Sequence, residues 1–262
     1  MKDVDFTYAA YEGLLDSAQR AGFAFLPVRE YIERSSDADR SLPERFLILR
    51  HDVDRKPRNA LAMARIESDY GVTATYYVRT IEKTLQPDVI ERIAGLGHEV
   101  GYHYEDMDRA DGDPELAVDS FADNLAALRS HVPVDTVCMH GNPLTPHDNR
   151  DLWEHTDFES FDLRGEGYLS MDFTDVTYFS DTGRTWLDGD LKIKDHTVGA
   201  DDKSVQVRDT FGLIDLLETG EVERACLLTH PNRWAGSYPE LVIEHAKDTA
   251  VNVVKRGLRV VT

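Results

Sequence analysis

Short apolar runs alternate along this chain with segments in which apolar residues recur every three or four positions. The runs predict buried strands, and the periodic segments predict amphipathic helices. The first half of the chain contains strand Phe46–Asp54, helix Pro57–Tyr70, strand Val72–Arg79, helix Pro87–Leu96, strand His98–Glu105, helix Pro114–Ser130 and strand Val134–His140. The last part contains helix Thr210–Glu218, strand Ala225–His230, helix Tyr238–Arg256 and strand Leu258–Val261.

Strands that alternate with helices predict a parallel sheet of the α/β class. The segment Asn149–Arg208 breaks this alternation, because it contains only short irregular strand-like runs at Tyr168–Phe173, Val176–Phe179 and Leu191–Lys194. We therefore expect residues 1–262 to form one domain with a distorted or incomplete (β/α) barrel.

Charged and imidazole side chains follow two of the predicted strands. The first group, Leu49-Arg50-His51-Asp52-Val53-Asp54, has Asp52 and Asp54 two positions apart, so both can face one side of the strand. The second, Gly97-His98-Glu99-Val100-Gly101-Tyr102-His103-Tyr104-Glu105, brings an imidazole and carboxylates to another strand end. A divalent cation between the strands would neutralise these carboxylates. Helix capping before Pro57 is the plainer explanation for Asp54, but it accounts for one carboxylate and not for two converging strand ends.

Composition narrows the class of protein. The formal charge of −20 excludes a nucleic-acid surface, and a count of 8 Lys against 21 Arg predicts an acidic, Lys-poor surface of the kind found in halophilic proteins. Two cysteines make no disulfide framework. The amino terminus lacks a signal-peptide pattern and no apolar run reaches membrane-spanning length, so we expect a cytoplasmic protein without membrane insertion. The oligomeric state is not predicted.

The two motifs resemble those of the polysaccharide deacetylase family, the NodB-type carbohydrate esterases. Leu49–Asp54 is similar to the Asp-Val-Asp variant of the family's first motif, and Gly97–His103 is similar to its Gly-His-Glu-Ile-Gly-Asn-His motif. The resemblance implies that Asp52 is the catalytic base and that Asp54 and His103 bind a metal. It also implies a distorted barrel, often with seven parallel strands.

The chain departs from the family pattern at Met107, where a second metal-binding histidine is expected. Zinc in a catalytic site usually has three protein ligands, so we predict His140 as the substitute, with Asp108 or Glu105 as alternatives. A histidine after a strand can also be a simple loop hydrogen-bonding residue. A typical Arg-Pro-Pro motif is absent near His140.

Toward the carboxyl end, Leu227-Leu228-Thr229-His230-Pro231 resembles the family's Leu-His motif, which implies that His230 protonates the leaving group. The alternative is that His230 merely caps a turn before Pro231.

Further residues are candidates for substrate binding or for support of the ligands. His51, Glu99 and Glu105 could orient the metal ligands, although His51 could equally pack beneath the site. Arg164, Asp181 and Arg184 could bind substrate or hold Asp52 and His230, or they could form surface ion pairs. Trp234 could stack on a sugar, or it could complete the core.

The resemblance implies a metal-dependent hydrolase that removes an N-acetyl group from an amino sugar in a glycan or glycan precursor. Zinc is the expected cofactor, with manganese, cobalt or nickel as alternatives. A cytoplasmic location favours a small or lipid-linked precursor or a nucleotide sugar. Two other hypotheses stay open: a hydrolase of another C–N bond, such as a cyclic amide or formyl group, and a catalytically inactive carbohydrate-binding protein.

Overall fold

The computed structural model describes residues 4–189, 192, 194, 197 and 205–259. Eight strands and eight α-helices lie in these ranges. The strands are β1 (Ala24–Leu26), β2 (Phe46–Val53), β3 (Thr75–Val78), β4 (Glu99–Tyr104), β5 (Thr136–Met139), β6 (Gly165–Glu166), β7 (Thr177–Ser180) and β8 (Arg224–Thr229). The helices are α1 (Tyr8–Arg20), α2 (Val28–Ser36), α3 (Pro57–Asp69), α4 (Pro87–Gly95), α5 (Asp106–Arg109), α6 (Pro114–Arg129), α7 (Thr210–Thr219) and α8 (Tyr238–Arg259).

All strand pairs of the sheet are parallel, and seven strands follow one hydrogen-bonded path in the order β6-β5-β4-β3-β2-β8-β7. Strand β1 lies off this path and pairs with the start of β2. Among the described residues, the edge strands β6 and β7 do not pair with each other, so the sheet curls without closing. The predicted fold class, an incomplete parallel barrel with seven strands, is confirmed.

The regular strand-helix repeat was predicted to within a few residues, but the flanking segments differ. Helix α1, strand β1 and helix α2 were not predicted. Tyr168–Phe173 forms turns instead of a strand, because the buried carboxylate of Glu166 accepts backbone N–H groups that a strand would pair elsewhere. Of Leu191–Lys194, only Lys192 and Lys194 are described, and neither is in a strand. Leu258 continues α8, and residues 260–261 of the predicted last strand lie outside the described part.

The central strand β2 is buried along its whole length, because both of its faces are covered. Its side chains alternate between an inner face, toward the hollow of the curled sheet, and an outer face, toward α1 and α3. Arg50 and Asp52 point inward, whereas His51 points outward. Two successive residues of one strand therefore enter different environments.

Neighbouring residues leave little space around Gly101 on the inner face of the sheet. A Cβ atom at this position would lie 2.3 Å from Cε1 of Tyr77 and 2.7 Å from the carbonyl oxygen of Thr136. Only glycine allows β3, β4 and β5 to keep this spacing below His103.

In the described ranges, no helix combines the length and apolar character that crossing a membrane requires.

Candidate active site

Three predicted metal ligands converge where β2, β4 and β5 end. Asp54 Oδ1 lies 3.5 Å from His103 Nε2 and 3.4 Å from His140 Nε2. The three ligand atoms all lie within 4.8 Å of one another. Asp54 follows β2, His103 is in β4 and His140 follows β5, so parallel pairing brings their carboxyl ends to one edge of the sheet.

Both imidazoles have an acceptor behind the ring. His103 Nδ1 lies 3.0 Å from the carbonyl oxygen of Cys138, to which it donates. His140 Nδ1 lies 3.2 Å from Oε2 of Glu105, which accepts from Arg79, but this approach does not have the geometry of a hydrogen bond. Acceptors behind Nδ1 favour the tautomer in which Nε2 carries the lone pair. Both lone pairs then face Asp54.

This arrangement fits a cation better than it fits hydrogen bonding. Asp54 Oδ1 is buried and has no hydrogen-bond donor, while the two nearest groups are imidazole nitrogens that present lone pairs. Acceptors that face one another at this distance repel unless a positive charge lies between them. The donor set of one carboxylate and two imidazoles suits zinc.

The site favours a positive charge beside Asp54, and in the absence of an ion a proton on His103 would supply it. Burial alone would raise the pKa of Asp54, but the three neighbouring imidazoles hold it well below its usual range. Burial would lower the pKa of His103, yet the carboxylates of Asp52 and Asp54 raise it overall. A proton on His103 would therefore compete with a metal ion for the same lone pair.

Asp52 lies beside this group, with Oδ2 at 3.7 Å from His103 Nε2. It is held by Arg50, which had not been predicted as a site residue: Nε donates to Oδ1 at 3.1 Å and Nη2 to Oδ2 at 2.8 Å. Arg50 is fully buried and stacks over the ring of Tyr168. The period of two in a strand places Arg50 and Asp52 on one face, and this signal could have identified the pair.

His230 enters the pocket from the end of β8. Its Nδ1 lies 2.7 Å from Oδ1 of Asp181, and its Nε2 lies 3.8 Å from Oδ2 of Asp54. Asp181 also accepts from the backbone N–H of His230 and from Trp234 Nε1. The guanidinium of Arg233 approaches both Asp181 Oδ1, at 2.8 Å, and His230 Nδ1, at 2.5 Å. Burial alone would raise the pKa of Asp181, but Arg233 and His230 lower it to about 2.

These groups line one pocket. Its polar wall contains Asp52, Asp54, His103, His140, Thr182, Lys194, His230 and Arg233, and its apolar part contains Met139, Pro143, Tyr168 and Leu228. Met107, at the position of the missing histidine, is buried in the core and does not line the pocket.

Two predicted supporting residues lie elsewhere. His51 is on the outer face of β2, where its ring nitrogens meet Thr229 at 2.5 Å and Glu67 at 2.6 Å. Glu99 is on the inner face but at the opposite end of β4, where it accepts from Arg29 N, Thr75 and Thr136. Neither residue contacts a candidate ligand: His51 lies on the opposite face of β2, in agreement with the alternative that it packs beneath the site, and Glu99 lies at the other end of β4. Glu105 does lie behind a candidate ligand, His140.

Three other candidates do not reach the pocket either. Arg164 is exposed and pairs with Glu33, which agrees with the alternative of a surface ion pair. Arg184 is buried and pairs with Asp248 of α8. Trp234 is fully buried against Phe6 and other aromatic rings, so it belongs to the core and cannot stack on a sugar.

No family model matches the chain, and no curated protein gives a significant match. Several solved structures do match. The Streptococcus pyogenes deacetylase PplD in complex with acetate is 15% identical with a TM-score of 0.46, over 56% of this chain and 67% of that chain. IcaB from Ammonifex degensii is 16% identical with a TM-score of 0.43, over 56% and 72%. A family 4 carbohydrate esterase from Bacillus anthracis is 13% identical with a TM-score of 0.39, over 90% and 84%.

The first of these proteins is a deacetylase and the third is a carbohydrate esterase, the kinds of protein that the sequence motifs resemble. At such identities and TM-scores the likeness does not extend to the reaction, so the chemistry of this chain has to be derived from its own residues.

Proposed function

We propose that the chain is a metal-dependent hydrolase that removes an N-acetyl group from an amino sugar in a glycan or glycan precursor. The observation that carries this proposal is the buried Oδ1 of Asp54, which has no hydrogen-bond donor. It faces His103 Nε2 and His140 Nε2, and a second carboxylate, that of Asp52, lies beside this group. The resemblance of the two motifs to polysaccharide deacetylases supports the choice of substrate.

Asp54, His103 and His140 would hold the ion. A divalent ion bound there would polarise an acyl carbonyl and lower the pKa of water. The acceptors behind His103 and His140 keep both Nε2 lone pairs directed at the site. Met107 leaves one histidine fewer in the second motif, and His140 supplies the third ligand from another strand.

Asp52 would act as the general base that takes a proton from the attacking water. The two hydrogen bonds from Arg50 keep its carboxylate oriented. Each oxygen accepts one hydrogen bond from Arg50 and keeps a second lone pair, so Asp52 can still take a proton. Arg50 acts through Asp52 and is therefore a positioning residue.

His230 would protonate the departing amine from Nε2. The contact of Nδ1 with the ionised Asp181 fixes the ring, so that Nε2 faces Asp54. The alternative, that His230 only caps a turn before Pro231, does not account for its contact with Asp181. Base and acid would thus stand on either side of Asp54.

The test compares three reactions of the full chain loaded with zinc: acetate release from N-acetylated amino sugars, ring opening of cyclic amides, and formate release from formylated amines. Acetate release that disappears with a chelator and returns with zinc is the expected result. Ring opening or formate release without acetate would establish another C–N hydrolase. A chain that binds no zinc, manganese, cobalt or nickel, and gains no thermal stability from them, would contradict the proposal and favour a carbohydrate-binding protein.

A further inference from the structure

Helix α8 turns its acidic residues toward the body of the protein. Its three carboxylates, Glu240, Glu244 and Asp248, are four residues apart and share one face. Glu244 and Asp248 are buried, whereas Val242 and Ile243 are exposed. A surface helix normally buries its apolar face and exposes its charges. Among the described side chains of α8, ion pairs replace much of the usual apolar packing.

The basic partners of this acidic face lie next to the candidate site. Lys56 Nζ is 2.9 Å from Oε1 of Glu240 and 3.1 Å from Oε1 of Glu244. Arg55 Nη2 is 2.8 Å from Oδ1 of Asp248. Arg55 and Lys56 directly follow Asp54 in the chain. The residues after the candidate metal ligand are therefore tied to α8 and not to the sheet.

A second connection leads to the other side of the site. Arg184 Nε is 2.7 Å from Oδ2 of Asp248, and Arg184 donates its backbone N–H to the carbonyl oxygen of Asp181 at 2.9 Å. Asp181 is the residue that holds His230. One carboxylate of α8, that of Asp248, thus reaches both Arg55 and Arg184.

The backbone at both anchor points is strained. Lys56 has φ of +55° and Arg184 has φ of +58°, in the left-handed region that residues with a Cβ rarely adopt. Such a conformation is unfavourable and persists where the surroundings hold it. The side chains of both residues end on carboxylates of α8.

We propose that α8 is a clasp that positions the metal site, with Glu240, Glu244 and Asp248 as positioning residues. Its acidic face holds Arg55 and Lys56, and thereby fixes where Asp54 meets the two imidazoles. The inference rests on the proposed function in one respect, because it takes Asp54 to be a metal ligand. It adds a control of metal affinity from a helix that does not line the pocket.

The clasp and a long-range charge effect predict opposite changes in zinc affinity for one substitution. Lys56→Met removes a positive charge near a cation site, and this change of field alone would tighten metal binding. If Lys56 instead holds Asp54 in place, Lys56→Met weakens binding, because loss of outer support for a ligand typically costs about 10- to 100-fold in metal affinity. Glu244→Gln weakens binding under both explanations, so Lys56→Met decides between them.

The experiment titrates Zn²⁺ into the chelator-treated full chain by calorimetry, for the wild type, Lys56→Met, Glu244→Gln and the control Lys83→Met. Lys83 is exposed and lies in the loop before α4, so the control loses the same charge away from α8. We expect about 10- to 100-fold weaker zinc binding in Lys56→Met and Glu244→Gln and unchanged binding in Lys83→Met. Circular dichroism of the metal-free variants checks that each is folded.

Equal or tighter zinc binding in Lys56→Met than in the wild type would overturn the clasp and leave the proposed function intact. If the wild type itself bound no zinc, both proposals would fail together. Should Lys56→Met not fold, Lys56→Gln removes the same charge with a smaller polar side chain, and the direction of its effect on zinc affinity decides in the same way.

Discussion

Two polar clusters lie on opposite faces of β2, one around His51 and the other around Asp52. In the outer cluster, Glu67 accepts from Tyr11 at 2.5 Å, from Tyr76 at 2.6 Å and from His51 Nε2 at 2.6 Å. His51 Nδ1 meets Thr229 Oγ1 at 2.5 Å. All of these side chains are buried, and each of the named polar atoms has a partner.

The inner cluster contains equally polar residues, but in it hydrogen-bond acceptors face one another. Asp54 Oδ1 is buried without a donor, and two imidazole nitrogens point at it. The two clusters therefore differ in the saturation of their hydrogen bonds and in exposure, because His51 and Glu67 are fully buried whereas Asp54 and His140 are partly exposed. The saturated cluster joins α1 and α3 to β2 and β8, and the unsaturated one is arranged to receive a ligand.

The largest expected effect is on metal binding. Asp54→Ala removes the shared carboxylate, so zinc binding should fall below detection by calorimetry and activity should be lost with it. The free energy of unfolding of the metal-free chain should fall, because the imidazoles that lower the pKa of Asp54 lose their interaction with this carboxylate. Near wild-type zinc affinity in Asp54→Ala would show that the ion binds elsewhere.

Substitution of the neighbouring carboxylate should separate chemistry from binding. Asp52→Asn retains the shape of the side chain but not its basicity, and we expect kcat to fall by about 10²- to 10⁴-fold. Zinc stoichiometry should stay as in the wild type, because Asp54, His103 and His140 remain. The measurement pairs acetate release with metal analysis of the same sample, and turnover at the wild-type rate would remove Asp52 as the base.

For the outer cluster we expect a loss of stability without a loss of zinc binding. Glu67→Ala leaves the donors of Tyr11, Tyr76 and His51 without their acceptor, so the free energy of unfolding should fall by about 3 to 5 kcal/mol. Urea denaturation of metal-free protein measures this change. Zinc affinity of the folded variant should match that of the wild type, and a large loss of affinity would mean that the two faces are coupled.

The smallest effect is on pH dependence. The pKa of Asp181 is lowered from 3.8 to about 2, so its stabilising contribution is full above about pH 4 and is lost as the pH falls toward 2. A shift of this size corresponds to roughly 2 kcal/mol. Between about pH 5 and pH 2.5, the free energy of unfolding of the wild type should fall by more than that of Asp181→Asn in urea denaturation. Parallel pH profiles would contradict the assigned ionisation.

The strand-helix repeat from Phe46 to Arg129 was predictable because local signals agree there: apolar strands, periodic helices and proline at helix starts. Asp52, Asp54 and His103 could be found for the same reason, since polar residues at the ends of parallel strands meet at one edge. The turn at Tyr168–Phe173 was not predicted, because the sequence does not show that the carboxylate of Glu166, two residues before it, is buried and accepts the backbone N–H groups of Tyr168 and Leu169.

The sequence alone determined which residues could bind a metal, and the period of two in β2 already separated Asp52 from His51. Only the tertiary structure decided that His140 reaches Asp54, that Arg50 holds Asp52 and that Trp234 is core. It also decided that α8 faces the body with its carboxylates. The physical reason is that these relations depend on register and packing between segments far apart in the chain, where no local pattern records the partner.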